Sequence, residues 1–136
     1  MDRSQQGRRF RRAAAEHHVT AKILLKERRY LHSMYHAGYV VECAFKALIL
    51  AGTPDNALGE TVRRFYRGQA GHNLDLLRKR LGELGYNMGR EQADHFRRLN
   101  TWTTDLRYDV VTINARDADV YLQAAVAILR WVENRL

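Results

Sequence analysis

Apolar and polar positions follow a helical period along almost the whole chain. Over residues 4–27, Phe10, Ala13, Ala14, His17, Ala21, Leu24 and Leu25 fall on one stripe with basic residues opposite, which predicts a first amphipathic helix. A second helix is predicted over residues 30–51, stopped by Gly52 with Pro54 just beyond. Its stretch AGYVVECAFKALILA, residues 37–51, is apolar nearly all round, and such a helix is normally covered by neighbours on several sides. Ala37, Ala44 and Ala51 recur every seven positions, a seam along which another helix can approach closely. A third helix begins near Asn73, aligns Leu74, Leu77, Leu81 and Leu84, and ends at Gly85. A fourth covers about residues 90–101 with Ala93, Phe96 and Leu99 inward. A fifth, over about residues 117–134, buries Tyr121, Ala124, Ile128 and Trp131 or Val132. Only residues 110–113 look strand-like, too short and isolated for a sheet. The pattern predicts an all-α fold, a four- to five-helix up-and-down bundle, as a single domain over residues 1–136 with its core at about 10–134.

Two charges interrupt the apolar second helix. Glu42 in such surroundings is costly unless paired and hydrogen-bonded. Lys46 follows at the four-residue spacing where Glu and Lys meet on one helix face. That pair satisfies part of the carboxylate, and the rest must come from another segment.

Two connections break the helical regularity. Residues 52–71 form a long connection, and long connections in compact domains are usually functional or disordered. It holds VRRFYR, residues 62–67. Arg63, Arg64 and Arg67 interleaved with Phe65 and Tyr66 suit phosphate contacts with base stacking. Equally, Val62, Phe65 and Tyr66 suit the buried face of one short helix. The second connection, residues 103–116, gathers Asp105, Arg107, Tyr108 and Asp109 without an obvious helix.

A length of 136 residues matches one domain able to bury a core without staples. Cys43, the single cysteine, lies in the apolar helix, so no disulfide framework or paired-cysteine metal site is expected and a reducing cytoplasm is implied. The N-terminal RRFRR resembles a twin-arginine export signal, but histidines and charge follow where an apolar run should be. No run is long enough to span a membrane. The net charge of +8 is uneven: residues 1–30 hold nine basic and three acidic residues, residues 102–136 four and five. The basicity therefore belongs to the first helix, where Arg8, Arg9 and Arg12 are candidate contacts for nucleic acid, an acidic partner or anionic lipid. A solvated, arginine-rich face is the plainer reading.

The order AGYVVECAFKALIL, GHNLDLL, LRYD and a C-terminal amphipathic helix with a Trp-Val pair resembles the HEPN domain over roughly residues 10–134. That resemblance implies a four- or five-helix bundle, frequent homodimerisation, and association with RNA or nucleotides without a metal or other cofactor. It also implies members that are metal-independent ribonucleases, members that only bind, and many encoded beside a minimal nucleotidyltransferase acting as antitoxin. The ribonuclease members carry R-x(4 to 6)-H, usually with Asn, Asp or His directly after the arginine. In that motif a histidine moves a proton during attack of the RNA 2′-hydroxyl, and an arginine stabilises phosphate charge. Here the matching arginine is Arg107, but Tyr108, Asp109, Val110, Val111, Thr112 and Ile113 follow it, so the histidine is missing.

Two functions are therefore expected. The first is a non-catalytic HEPN module, possible in a toxin-antitoxin or defence system, that binds RNA, a nucleotide or a nucleotidyltransferase through Arg8, Arg9 and Arg12 of the first helix, Arg63, Arg64, Tyr66 and Arg67 of the VRRFYR segment, and the surface of Arg107, Tyr108 and Asp109. The second is an endoribonuclease with an atypical site at Arg107, Tyr108 and Asp109, using His72 or His95 as proton carrier. A plain dimerisation module is a third reading. Arg107 is also expected to pair with Glu42, completing an ion network of Glu42, Lys46 and Arg107, because a guanidinium fork matches a carboxylate.

Other histidines carry weaker signals. REQADH, residues 90–95, fits the arginine–histidine spacing literally, yet residues five apart on a helix point about 140° apart. His32 and His36 have a four-residue spacing compatible with two metal ligands, but no third ligand is near in sequence, and no metal is expected. His72 is placed at a helix start, in a capping and packing role. His17 reads as a core histidine and His18 as exposed. The chain lacks a nucleophile elbow, a glycine-rich phosphate loop and a Rossmann fingerprint.

Overall fold

The computed structural model describes residues 3–100 and 113–136. Six helices make up the described chain: α1 (Arg3–Lys26), α2 (Tyr30–Gly52), α3 (Leu58–Phe65), α4 (Leu74–Glu83), α5 (Arg90–Asn100) and α6 (Ala115–Glu133). No strand occurs among the described residues, and the fold is the all-α bundle that the periodicity predicts. The predicted strand-like patch at residues 110–113 falls almost entirely outside them.

Helix α2 is the hub. It contacts α1, α4 and α6, and every residue of it from Val40 to Leu50 is buried. This is the structural counterpart of its all-round apolarity. Close approach to α1 runs through small residues: Ala14 and Ala21 of α1 and Ala37 and Ala44 of α2 are buried. Ser33 fixes the crossing by donating its hydroxyl to the Ala21 carbonyl at 2.8 Å. Ala51, the last of the predicted seam, lies exposed at the helix end.

The predicted long connection is mostly ordered helix. A 3-10 turn (Asp55–Ala57), α3 and a second 3-10 turn (Gln69–His72) occupy it. Phe65 is fully buried and Val62 half-buried, while Arg63 and Arg64 face outward. An eight-residue helix offers about two turns of pattern, too few to stand out from a loop by periodicity.

Helix ends are set by identifiable groups. Asn73 and Asn114 cap α4 and α6, their side-chain oxygens accepting from the Leu76 and Asp117 amides at 3.2 and 2.8 Å. Helix α4 closes in a Schellman arrangement, with Tyr86 N–H donating to Leu81 and Gly85 at φ 91°. Helix α1 closes the same way, Arg29 N–H donating to Leu24, but Arg28 takes the left-handed position at φ 62°. Tyr121 of α6 donates its hydroxyl to the Leu99 carbonyl of α5 at 2.9 Å.

Candidate functional site

Glu42 and Lys46 lie at the centre of α2, with side chains only 7% and 8% exposed. Lys46 Nζ is 3.3 Å from Glu42 Oε2, so the pairing read from the spacing is present. The second carboxylate oxygen, Oε1, meets His72 Nδ1 at 3.2 Å. Arg107, expected at this place, lies outside the described residues, as do Tyr108 and Asp109. His72 does not cap α4, since the Asn73 side chain does that; its imidazole turns instead to α2.

Gly71 makes this approach possible. A Cβ there would lie 2.0 Å from the Phe65 carbonyl oxygen and 3.3 Å from Lys46 Nζ. Only a residue without a side chain lets the 3-10 turn lie so close to α3 and α2, and that closeness delivers His72 to Glu42.

Aromatic groups close the site from α1 and α3. Lys46 Nζ sits 5.8 Å from the Phe10 ring centre and 6.0 Å from that of Tyr66, within cation–π range of both. The Tyr66 hydroxyl donates to the Lys46 backbone carbonyl, and burial pushes its phenol above the usual tyrosine range. Cys43 is also quiet: burial, helped by the neighbouring Glu42 charge, pushes its thiol up to about 11.

His72 differs from the rest of the cluster because its side chain is 59% exposed. A buried carboxylate bonded to Nδ1 fixes the ring and leaves Nε2 as the nitrogen without that contact. This is the base-and-orienter arrangement used for proton transfer, here with solvent access.

Two arginine runs lie on the segments that meet at the cluster. Arg8, Arg9 and Arg12 on α1 and Arg63, Arg64 and Arg67 at the end of α3 are all exposed. Phe10 contacts Tyr66 with ring centres 5.1 Å apart, which joins the two segments that carry them. The Arg64 guanidinium lies over the Phe65 ring at 4.9 Å. Of the VRRFYR aromatics, Phe65 belongs to the core, and Tyr66 is half-buried with its hydroxyl engaged. The arginines are the groups that this segment presents outward.

The remaining histidines separate into distinct environments. His17 of α1 and His36 of α2 bring their Nδ1 atoms to 2.9 Å, a contact across helices that neither residue's local sequence announces. His18, expected to be exposed, is half-buried; burial and the Lys22 charge depress its pKa. In REQADH, Arg90 is exposed while His95 is half-buried, with no partner for its Nδ1 among the described residues. No group of three or more metal-ligating side chains occurs among the described residues. No described helix is long and apolar enough to cross a membrane.

No curated protein and no solved structure matches this chain. One family model nevertheless covers nearly the whole sequence. With residues 8–135 matching the HEPN domain model, the chain belongs to the HEPN domain family.

Proposed function

We propose that this HEPN domain binds RNA through the composite arginine surface formed by α1 and the end of α3. The observation that supports the reading is the Phe10–Tyr66 contact, which brings together two segments that both carry exposed arginines. Arginine suits this task because its planar fork pairs with phosphate oxygens and stays charged at any physiological pH. The reading is one of binding because the histidine of the family's arginine–histidine motif is absent after Arg107. A free nucleotide and a partner nucleotidyltransferase are the other ligands that the family suggests, and a homodimer in a toxin-antitoxin setting belongs to the same reading.

Fluorescence anisotropy of a labelled single-stranded oligoribonucleotide, titrated over a range of salt, tests it. Log affinity should fall linearly with log salt, with a slope of about −0.7 for each phosphate neutralised. Replacing Arg63, Arg64 and Arg67 with Gln should flatten that slope and weaken binding. Salt-independent binding, or unchanged binding by the triple variant, would refute the reading. A nucleotidyltransferase partner would instead show as RNA-insensitive complex formation.

A second reading, metal-independent RNA cleavage, is favoured by one specific observation: exposed His72 is held through Nδ1 by buried Glu42. His72 would then be the proton carrier and Glu42 its positioning residue. Cleavage of an RNA oligonucleotide in chelator, lost in His72→Ala while anisotropy still reports binding, would establish this reading. Intact RNA with wild-type protein rules it out and leaves the binding proposal standing.

A further inference from the structure

The contact between α1 and α2 contains a pair of imidazoles with an unusual requirement. His17 Nδ1 and His36 Nδ1 are 2.9 Å apart, with ring centres at 5.1 Å. Tyr39 packs against both rings, its centre 5.2 Å from that of His17 and 6.3 Å from that of His36. At this separation only one proton can lie between the two nitrogens. The neutral pair must hold unlike tautomers, one Nδ1 donating and the other accepting. A singly protonated pair keeps the contact, since an imidazolium Nδ1–H donates to the neutral partner. A doubly protonated pair cannot, because both nitrogens then carry hydrogen and both rings carry charge.

We propose that His17 and His36 form an acid-sensitive latch between α1 and α2, closed with no proton or one added and opened by the second. The inference stands whether or not the arginine surface binds RNA.

The surroundings favour the closed form at neutral pH. Burial and the His36 charge depress the pKa of His17, while Glu42 opposes them. Burial and the His32 charge depress that of His36. The Glu42 carboxylate is already shared between Lys46 and His72. On the α6 side, Arg130 and Glu133 act on His18. Both latch histidines therefore bind protons more weakly folded than unfolded. Above the unfolded value of about 6.5 neither state is protonated and the latch contributes fully. As pH falls below that value the unfolded or open form takes up more protons, and stability is lost progressively towards the depressed folded values.

Native-state hydrogen exchange between about pH 7 and about pH 5, corrected for intrinsic rates, tests the latch across the imidazole titration range. The opening equilibrium of amides around His17 should rise with acid, by up to about tenfold per pH unit for each extra proton held by the open form. Amides around Leu77 in α4 should respond less. His36→Gln and His17→Gln should each flatten the α1 response and leave that of α4 unchanged. An α1 response as steep in both variants as in the wild type overturns the latch. Should either variant fail to fold, imidazole 15N shifts of the wild type decide. Unlike tautomers at neutral pH support the pair, and two Nε2–H tautomers overturn it.

Discussion

Replacing Glu42 and Lys46 singly and together separates the cost of burying charge from the worth of pairing it. At 3.3 Å and an effective dielectric of about 20, the attraction between the two charges is about 5 kcal/mol. Stripping water from each ion costs several kcal/mol, so the pair as a whole contributes little net stability. Removing one member is different, because the other stays buried without its counter-charge. Lys46→Met leaves Glu42 with His72 Nδ1, so its cost should be near the lower end of the 3–5 kcal/mol range for broken buried pairs. Glu42→Leu leaves Lys46 facing only Phe10 and Tyr66, where cation–π attraction returns about 0.5–2 kcal/mol. It should be the costlier single change. The double variant Glu42→Leu/Lys46→Met should fall within about 1 kcal/mol of the wild type, since apolar pairs of similar volume often replace buried ion pairs without loss. Urea unfolding with a common m-value measures all four proteins. A double variant as unstable as the two singles added together would refute this reasoning, because additivity would mean that the two charges are not coupled.

Three further substitutions probe the elements around the site. Gly71→Ala should cost several kcal/mol and shift the His72 imidazole resonances, because the added methyl meets the Phe65 carbonyl oxygen at 2.0 Å; a thermal shift with unchanged resonances would contradict the close approach. Arg28→Gly should stabilise by about 0.5–1 kcal/mol in chemical denaturation, since a left-handed non-glycine residue costs about 1–2 kcal/mol, partly offset by glycine's greater unfolded entropy. Tyr121→Phe should lose about 1–3 kcal/mol, because it orphans the Leu99 carbonyl that the buried hydroxyl satisfies; a neutral change would mean that this carbonyl has another donor.

The parts legible in the sequence were those with repeated local signals. Helix α2 declared itself through an uninterrupted apolar run, and α4 through four leucines and a terminal glycine whose φ of 91° explains its presence. Helix α3 was hidden because eight residues give the 3.6-residue period little room, and because three arginines lie within and just after it. The Glu42–Lys46 pair was legible from spacing alone, since both residues lie on one helix turn. His72 was not, because its partner is 30 positions away in sequence and the path between them is set by a glycine that tolerates an otherwise impossible contact. His17 and His36, 19 positions apart, were hidden for the same reason: crossing geometry, not local pattern, brings their nitrogens together.

Glu42 joins these observations because it acts on both histidine environments. Its carboxylate bonds Lys46 and His72 directly and attracts positive charge on His17. If stability were the only demand at the centre of α2, two apolar residues would meet it, as the double variant tests. A buried carboxylate does something that leucine cannot: it orients an exposed imidazole and carries a negative potential to the α1–α2 contact. Lys46 then has the complementary task of pairing with that carboxylate inside an apolar helix. The physical consequence is separable by experiment, for Glu42→Leu/Lys46→Met should keep the fold while freeing His72. If the imidazole resonances of His72 stay as dispersed in that variant as in the wild type, some other group positions the ring, and Glu42 is not the link between the buried helix and its surface.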